Sequence, residues 1–449
     1  MKFRVDRDVL GEAVAWVARE LPTRPVVPVL SGLLMQAGTD GLTLSCFDYE
    51  VSARVELPAE VGEPGTALVP GRLLAEITRS LPPDDVEFTS ATGLLVLTCG
   101  SAEFALVSLP LEEYPKLPEL PAIAGSVDGG ALASAASQVV PSSSRDDTLP
   151  MLTGVNIDFD GHSLTLAATD RYRLAVAAVP WEPADPKVRA SALVPARTLA
   201  DVARTMGPGK PVTIAFGQPV RGSAGPADGI ISFEGGGRRL TARLIGTDFI
   251  RYESRFPASF EARAELPAGP FTEAVRRVSL VADRASPVQL AFRRDVVVIE
   301  AQSDGRARGV ESVPMHFSGT SQVISFNPHY LLDGLTAAAL CGQAPGGRAP
   351  GGQAAGGDGT QQISGAGRIR LDFTSPAKPA LITWIDGDAT ADGDGAGPVT
   401  EAADSGGNGG AGPIAAAESD RGHELAPGPA AQATPFRYLV VPLRAPAAG

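Results

Sequence analysis

Apolar residues first return at helical spacing. In DRDVLGEAVAWVARELP, which starts at Asp6, Leu10, Val14, Val17 and Leu21 fall at i, i+4, i+7 and i+11. That spacing predicts one buried stripe on an amphipathic helix. Further along the period drops to two. Val51, Ala53, Val55 and Leu57 alternate with polar neighbours, as do Leu174, Val176 and Ala178. This predicts strands with one buried and one exposed face.

The same patterns recur at a near-constant interval. LVPGRLLAEITRSLP from Leu68 and LVPARTLADVARTMG from Leu193 are 125 residues apart. ISFNPHYLLDGLTAA from Ile324 is a looser third copy that aligns Leu331 with Leu199 and Leu74. LTLSCFDYEVSARVEL from Leu42 returns as LTLAATDRYRLAVAAVP from Leu164 and VVIEAQSDGRARGVESVP from Val297. Helix-like openings begin at Asp6, Asp128 and Ala268. Three series at one period mark three copies of one α+β unit, each a sheet covered by helices. The units are expected at 1–122, 126–262 and 265–449, the third carrying low-complexity insertions at about 342–362 and 387–433.

Composition adds limits. A chain of 449 residues has room for roughly three domains of about 150 residues. No apolar run follows MKFRVDRDVL, so neither a signal peptide nor a membrane span is expected. Cys46, Cys99 and Cys341 lie far apart without metal-binding spacing, which suits a reducing cytoplasm. The net charge of −13 argues against nucleic acid at first sight. From Asp386 to Thr434, however, the chain is rich in Gly, Ala and Pro and holds nine acids against the single base Arg421. That tract is read as disordered, and the remainder is only mildly acidic.

Arginines recur with the units. Arg72 and Arg79, like Arg197 and Arg204, are seven residues apart, which sets each pair about 20° out of line on one helix face. Arg276 and Arg277 fall on a helix of the third unit, and Arg24 and Arg145 follow helices of the first two. Each alone reads as a solvated surface charge. Arranged around a common centre, together they suit sequence-independent contact with a phosphate backbone. Catalytic patterns do not emerge. The four histidines are scattered, GGGR at Gly235 reads as a hairpin turn, and GPGKP at Gly207 reads as a helix stop. Aspartates at the helix starts read as caps. No cofactor, metal or catalytic role is expected.

Seven landmarks in order carry a resemblance: MKFRVDRDVL, RPVVPVLSGLLM, VPGRLLAEITRSLP, FALVSLPLEEYP, LAATDRYRLAV, ISFNPHYLLDGL and YLVVPLR. In this order and spacing the chain resembles the β subunit of bacterial DNA polymerase III, the sliding clamp, in its actinobacterial form. The resemblance implies three clamp domains per chain with helices on the inner face and antiparallel sheets outside. Two chains would join head-to-tail in a homodimeric ring around duplex DNA. Phe104 and Leu106 match family positions at one end of the chain, and Leu280 and Val281 those at the other. The family also tethers the polymerase III α subunit, the clamp loader and other proteins bearing a clamp-binding motif, through a peptide pocket. Matched to that pocket are Leu152, Thr169, Arg171, Tyr172, Arg173, Leu174, Ile250, Asn327, Tyr330, Val440, Val441, Pro442, Leu443 and Arg444. The sequence departs from the family at Gly246–Ile250, at Arg171-Tyr172 and at Val441–Arg444, which leaves open a specialised paralogous clamp. A non-encircling repeat scaffold that binds proteins is the other alternative.

Overall fold

The structure is a computed structural model describing residues 1–207, 209–217, 229–283, 286–303, 306–343, 367–385 and 436–443. The insertion expected at 387–433 lies outside the described residues, as does nearly all of that at 342–362. Among the described residues each repeat contributes two helices of ten residues or more: α1 (Arg7–Arg19) and α2 (Gly71–Ser80), α3 (Gly129–Val139) and α4 (Ala196–Met206), α5 (Ala268–Ser279) and α6 (Pro328–Ala339). Asp6 opens α1 by accepting from the backbone N–H groups of Asp8 and Val9, both at 2.9 Å. Asp128 opens α3 through Ala131 N at 2.8 Å. These are the expected side-chain caps, which satisfy donors that no helical carbonyl can reach. Leu10, Val14, Val17 and Leu21 are all buried, as their spacing requires. Helix α4 stops at Met206 before Gly207, and Gly236 and Gly237, at φ 63° and 78°, turn the hairpin after Gly235.

The described strands form four sheets of five, nine, nine and four strands. Six strands at the unit borders, numbered in chain order, are β1 (Val51–Leu57), β2 (Ala102–Val107), β3 (Arg173–Pro180), β4 (Arg238–Arg243), β5 (Ala307–Pro314) and β6 (Phe436–Val440). Each nine-stranded sheet spans two units. In the first, β4 of the second unit pairs antiparallel with β1 of the first, with Leu240 opposite Ala53. In the second, β6 of the third unit pairs with β3 of the second, with Tyr438 opposite Ala175. The five-stranded sheet ends on β2 and the four-stranded sheet ends on β5. One continuous core runs under all three helix pairs.

The expectation of one exposed face fails for β3. Ala175 and Ala177 enter the main core, while Leu174 and Val176 enter a separate apolar cluster on the opposite face. That second face is covered by Tyr252, Phe249, Ile250, Phe256 and Phe260 from the segment linking the second and third units. A strand buried on both faces carries no clean alternation, and its alanine-rich sequence reflects that.

Candidate functional site

The border between the second and third units carries a polar network built from several of the matched pocket residues. It begins in a turn. Asp170 Oδ1 accepts from the backbone N–H groups of Tyr172 and Arg173, at 3.0 and 3.1 Å. This holds Arg171 at φ 81°, a left-handed conformation that costs a non-glycine residue energy. Thr169 Oγ1 donates to the Arg173 carbonyl at 2.6 Å and accepts from Arg171 N at 3.2 Å.

Arg173 is the hub. Its Nε donates to Asp170 Oδ2 at 3.0 Å, and its two amino groups reach Asp333 Oδ2 and the Pro141 carbonyl. The guanidinium carbon also lies 4.5 Å from the Tyr330 ring centroid. One planar fork therefore joins three acceptors and an aromatic face, which a lysine could not do. Tyr330 stacks on Tyr172 at 6.1 Å between centroids and takes a hydrogen bond at its carbonyl from Tyr438 Oη at 2.8 Å. Asn327 Oδ1 caps α6 through His329 N and Tyr330 N, at 2.9 and 3.4 Å. The chain end is laced in by Val441 N to the Tyr172 carbonyl at 2.8 Å and Leu443 N to the Ser325 carbonyl at 2.7 Å.

An open cleft of ≈ 830 Å³ lies against this network, lined by Arg145, Arg171, Tyr172, Arg173, Tyr330 and Asp333 among others. The strand that continues from Arg173 carries Leu174 and Val176 into an apolar wall with Leu381, Leu439 and Tyr252, and Ile250 packs at its margin. Tyr252 Oη donates to Asp158 Oδ2 at 2.8 Å, which fixes that wall. The arrangement can take an extended chain with apolar anchors beside cations.

Two of the pocket matches need correction and one cannot be placed. Val440 points into the main core, and the pleat turns Leu439 toward the outer cluster instead. Leu152 is a buried residue whose carbonyl accepts from Ser144 N at 2.7 Å, so it supports the cleft from beneath. Arg444 lies outside the described residues. Sequence reading missed Asp170, Asp333, Leu439 and Tyr252. Asp333 left one trace, its repeat alignment with Asp201 and Glu76.

The recurrent arginines divide in two. Arg72 donates to the Leu21 carbonyl at 2.9 Å and Arg197 to the Arg19 carbonyl at 3.4 Å. Arg204 pairs with Asp201, Arg276 with Glu273, and Arg277 with both oxygens of Glu311. Arg24, Arg79 and Arg145 are exposed, and their side chains have no hydrogen-bond or ion-pair partner among the described residues. On the free β2 edge Phe104 is 38% exposed; just after α5, Leu280 is 81% exposed and Val281 is half-buried. Leu106 is a correction. At 2% exposure it already belongs to the core, opposite the buried Leu95 of the neighbouring strand.

Comparison with known proteins gives three consecutive family matches. They are the N-terminal, central and C-terminal domains of the DNA polymerase III beta subunit, at residues 1–118, 126–250 and 253–340. A beta sliding clamp of Streptomyces coelicolor is 50% identical over 337 residues, 75% of this chain and 88% of its own. A beta sliding clamp homolog, GriR, of Streptomyces muensis is 44% identical over 336 residues, with 75% and 88% covered. The crystal structure of the Bacillus subtilis polymerase sliding clamp superposes with a TM-score of 0.75 at 21% identity, covering 99% of each chain, which bears on the fold.

Proposed function

The chain belongs to the DNA polymerase III β-subunit family, and we propose that it is a sliding clamp, a ring of two head-to-tail chains around duplex DNA. In this reading it catalyses nothing itself. It tethers the polymerase and other replication and repair proteins through the cleft at the second unit border, and its domains are 1–122, 126–262 and 265–449.

The observation that carries the ring is a match between closed and open strand edges. In each unit a cross-strand row starts three residues before the cap of the first helix. The rows are Phe3–Phe88–Leu97–Phe104, Gly125–Ile214–Phe233–Leu240 and Ala264–Leu371–Ile382–Tyr438. Phe104, Leu240 and Tyr438 are therefore equivalent. Leu240 and Tyr438 are buried at the two internal borders, facing Ala53 and Ala175. Across the outer edge of β2, Phe104 faces no strand among the described residues.

The hairpin rungs Cys46–Ala53, Ala168–Ala175 and Ala301–Gly309 make Gly309 on β5 the third equivalent of those alanines. A Cβ on Gly309 would approach Val281 Cγ2 to 3.1 Å. A second copy's Phe104 fits over that glycine, against Val281 and Leu280. A large residue opposite a small one is the pattern at both closed borders. Repeating it between chains closes a ring by rotation and leaves no free strand edge there.

Inside the ring, the exposed Arg24, Arg79 and Arg145 suit weak, distributed phosphate contacts that permit sliding. Retention on DNA is the direct test. The loaded protein should stay on closed circular DNA through a gel-filtration column and be lost after the circle is linearised. Equal loss from both would remove the ring.

A further inference from the structure

The two internal borders are repeats of one another, yet they are finished differently. Asp48 and Asp170 stand 122 residues apart. Asp48 Oδ1 accepts from Glu50 N and Val51 N at 3.0 and 2.7 Å, as Asp170 does from its own turn. Tyr49 at φ 76° and Arg171 at φ 81°, each following its aspartate, are the non-glycine residues with left-handed backbone among the described residues. The turn is the same object made twice.

Three residues past the aspartate the copies diverge. The second unit has Arg173, whose guanidinium joins Asp170, Asp333 and the Pro141 carbonyl. The first unit has Val51, with no charge to offer Asp48. The counterpart of the Pro141 carbonyl, again 122 residues earlier, is that of Arg19, which receives only the long 3.4 Å bond from Arg197. Here the border encloses a pocket of ≈ 240 Å³, lined by Glu20, Arg24, Asp48, Val51, Arg197 and Thr198 among others. Glu20 is 9% exposed, and its carboxylate has no hydrogen-bond or ion-pair partner among the described residues. Its carboxylate opens onto this pocket; a carboxylate so largely withdrawn from water without a direct partner is costly, and a cation that reached it through the pocket would recover part of that cost.

We propose that this pocket binds a partner peptide through one arginine or lysine side chain. The cation seats between Glu20 and Asp48, in the place that Arg173 fills at the other border. Arg24 and Arg197 stand at the same pocket and favour an acidic residue next to that cation. The ligand class is thus a peptide with adjoining basic and acidic residues. The pocket shares Arg197 with the lining of the cleft, but Glu20, Asp48 and Val51 belong to neither the cleft nor the β2 and β5 edges, so failure of a test built on those three leaves the clamp reading untouched.

The test follows the methyl signals of Leu21 and Val51 by NMR in the full chain, with acetyl-Arg-Asp-amide as probe. Those signals should shift, and the citrulline counterpart should bind about tenfold more weakly or worse, the scale of a charge-assisted hydrogen bond. Glu20→Gln should weaken the arginine probe to a similar degree. Val51→Arg, which supplies the cation internally, should abolish binding. If that variant does not fold, the Glu20→Gln and citrulline comparisons decide. Equal shifts with citrulline, or full affinity in Glu20→Gln, would overturn the proposal. So would shifts produced by duplex DNA or inorganic phosphate and not by the probe, since the pocket would then be an anion site on Arg24 and Arg197.

Discussion

Arg173 and Glu20 show how differently two repeat-related positions can be used. Arg173 is surrounded by acceptors. Its replacement by Ala would strand Asp170, Asp333 and the Pro141 carbonyl together, so a loss of about 2 kcal/mol or more is expected by urea unfolding. Arg173→Lys should recover little of it, because an ammonium cannot span acceptors set for a planar fork. Glu20 has the opposite problem. Burial raises its pKa above the ordinary carboxylate range, against the pull of Arg197 and Arg204 and with a push from Asp48. A carboxyl raised in this way favours the fold while protonated, and that contribution is lost as pH rises through the raised value. Without ligand, Glu20→Gln should therefore raise the urea midpoint at neutral pH and leave it nearly unchanged near about pH 4. A midpoint lowered at neutral pH would mean that the ionised carboxylate has a stabilising partner.

Strands and helices bring their own tests. Phe104 is exposed on the open β2 edge, and Leu280 is exposed just after α5, where its neighbour Val281 lies against Gly309 of the open β5 edge. Leu280→Asp with Val281→Asp, or Gly309→Leu alone, should give monomers by sedimentation while each chain still melts cooperatively. The first pair buries unpaired charge, and the second fills the space meant for Phe104. An unchanged dimer would exclude this edge pairing. On the helix faces, the arginines held by internal bonds are expected to matter less for DNA than the exposed ones. Replacing Arg24, Arg79 and Arg145 with Ala should reduce the logarithmic salt slope by roughly 0.9 for each phosphate that is no longer neutralised. The same slope change from Arg204→Ala and Arg277→Ala would show that their pairs with Asp201 and Glu311 open on DNA.

For the whole molecule, the acidic tract invites deletion. It leaves from the strand Ala380–Ile385 and returns at β6, and these two are antiparallel neighbours with Ala380 opposite Val440. Closing so short a gap needs only a turn, and loop entropy changes by about 0.6 kcal/mol per halving of length. Replacing 387–433 with a short Gly-Ser turn should preserve the dimer and its melting temperature. The tract is strongly acidic and re-enters at Phe436 on β6, the strand whose other end pairs with Arg173, so its loss should speed association of acidic peptides at low salt and have no effect at high salt. Unchanged rates at low salt would mean the tract is inert toward partners.

The periodicities of the chain were enough to set three repeated units, their capped helices and the strands that border them. Those features arise from neighbours in sequence: a 3.6-residue or two-residue period, an aspartate before a helix, a glycine pair at a turn. They also supplied TDRYRL and FNPHY as ingredients of one site. Only the tertiary structure decided how the ingredients act. It turned Val440 inward and Leu439 outward, buried Leu106, and gave Asp201 and Glu311 to arginines that looked free in sequence. It also set Val51 and Arg173 at equivalent turns with unequal partners. The reason is that each of these outcomes depends on residues far apart in the chain, brought together by sheet register and by packing across unit borders, and no local period encodes them.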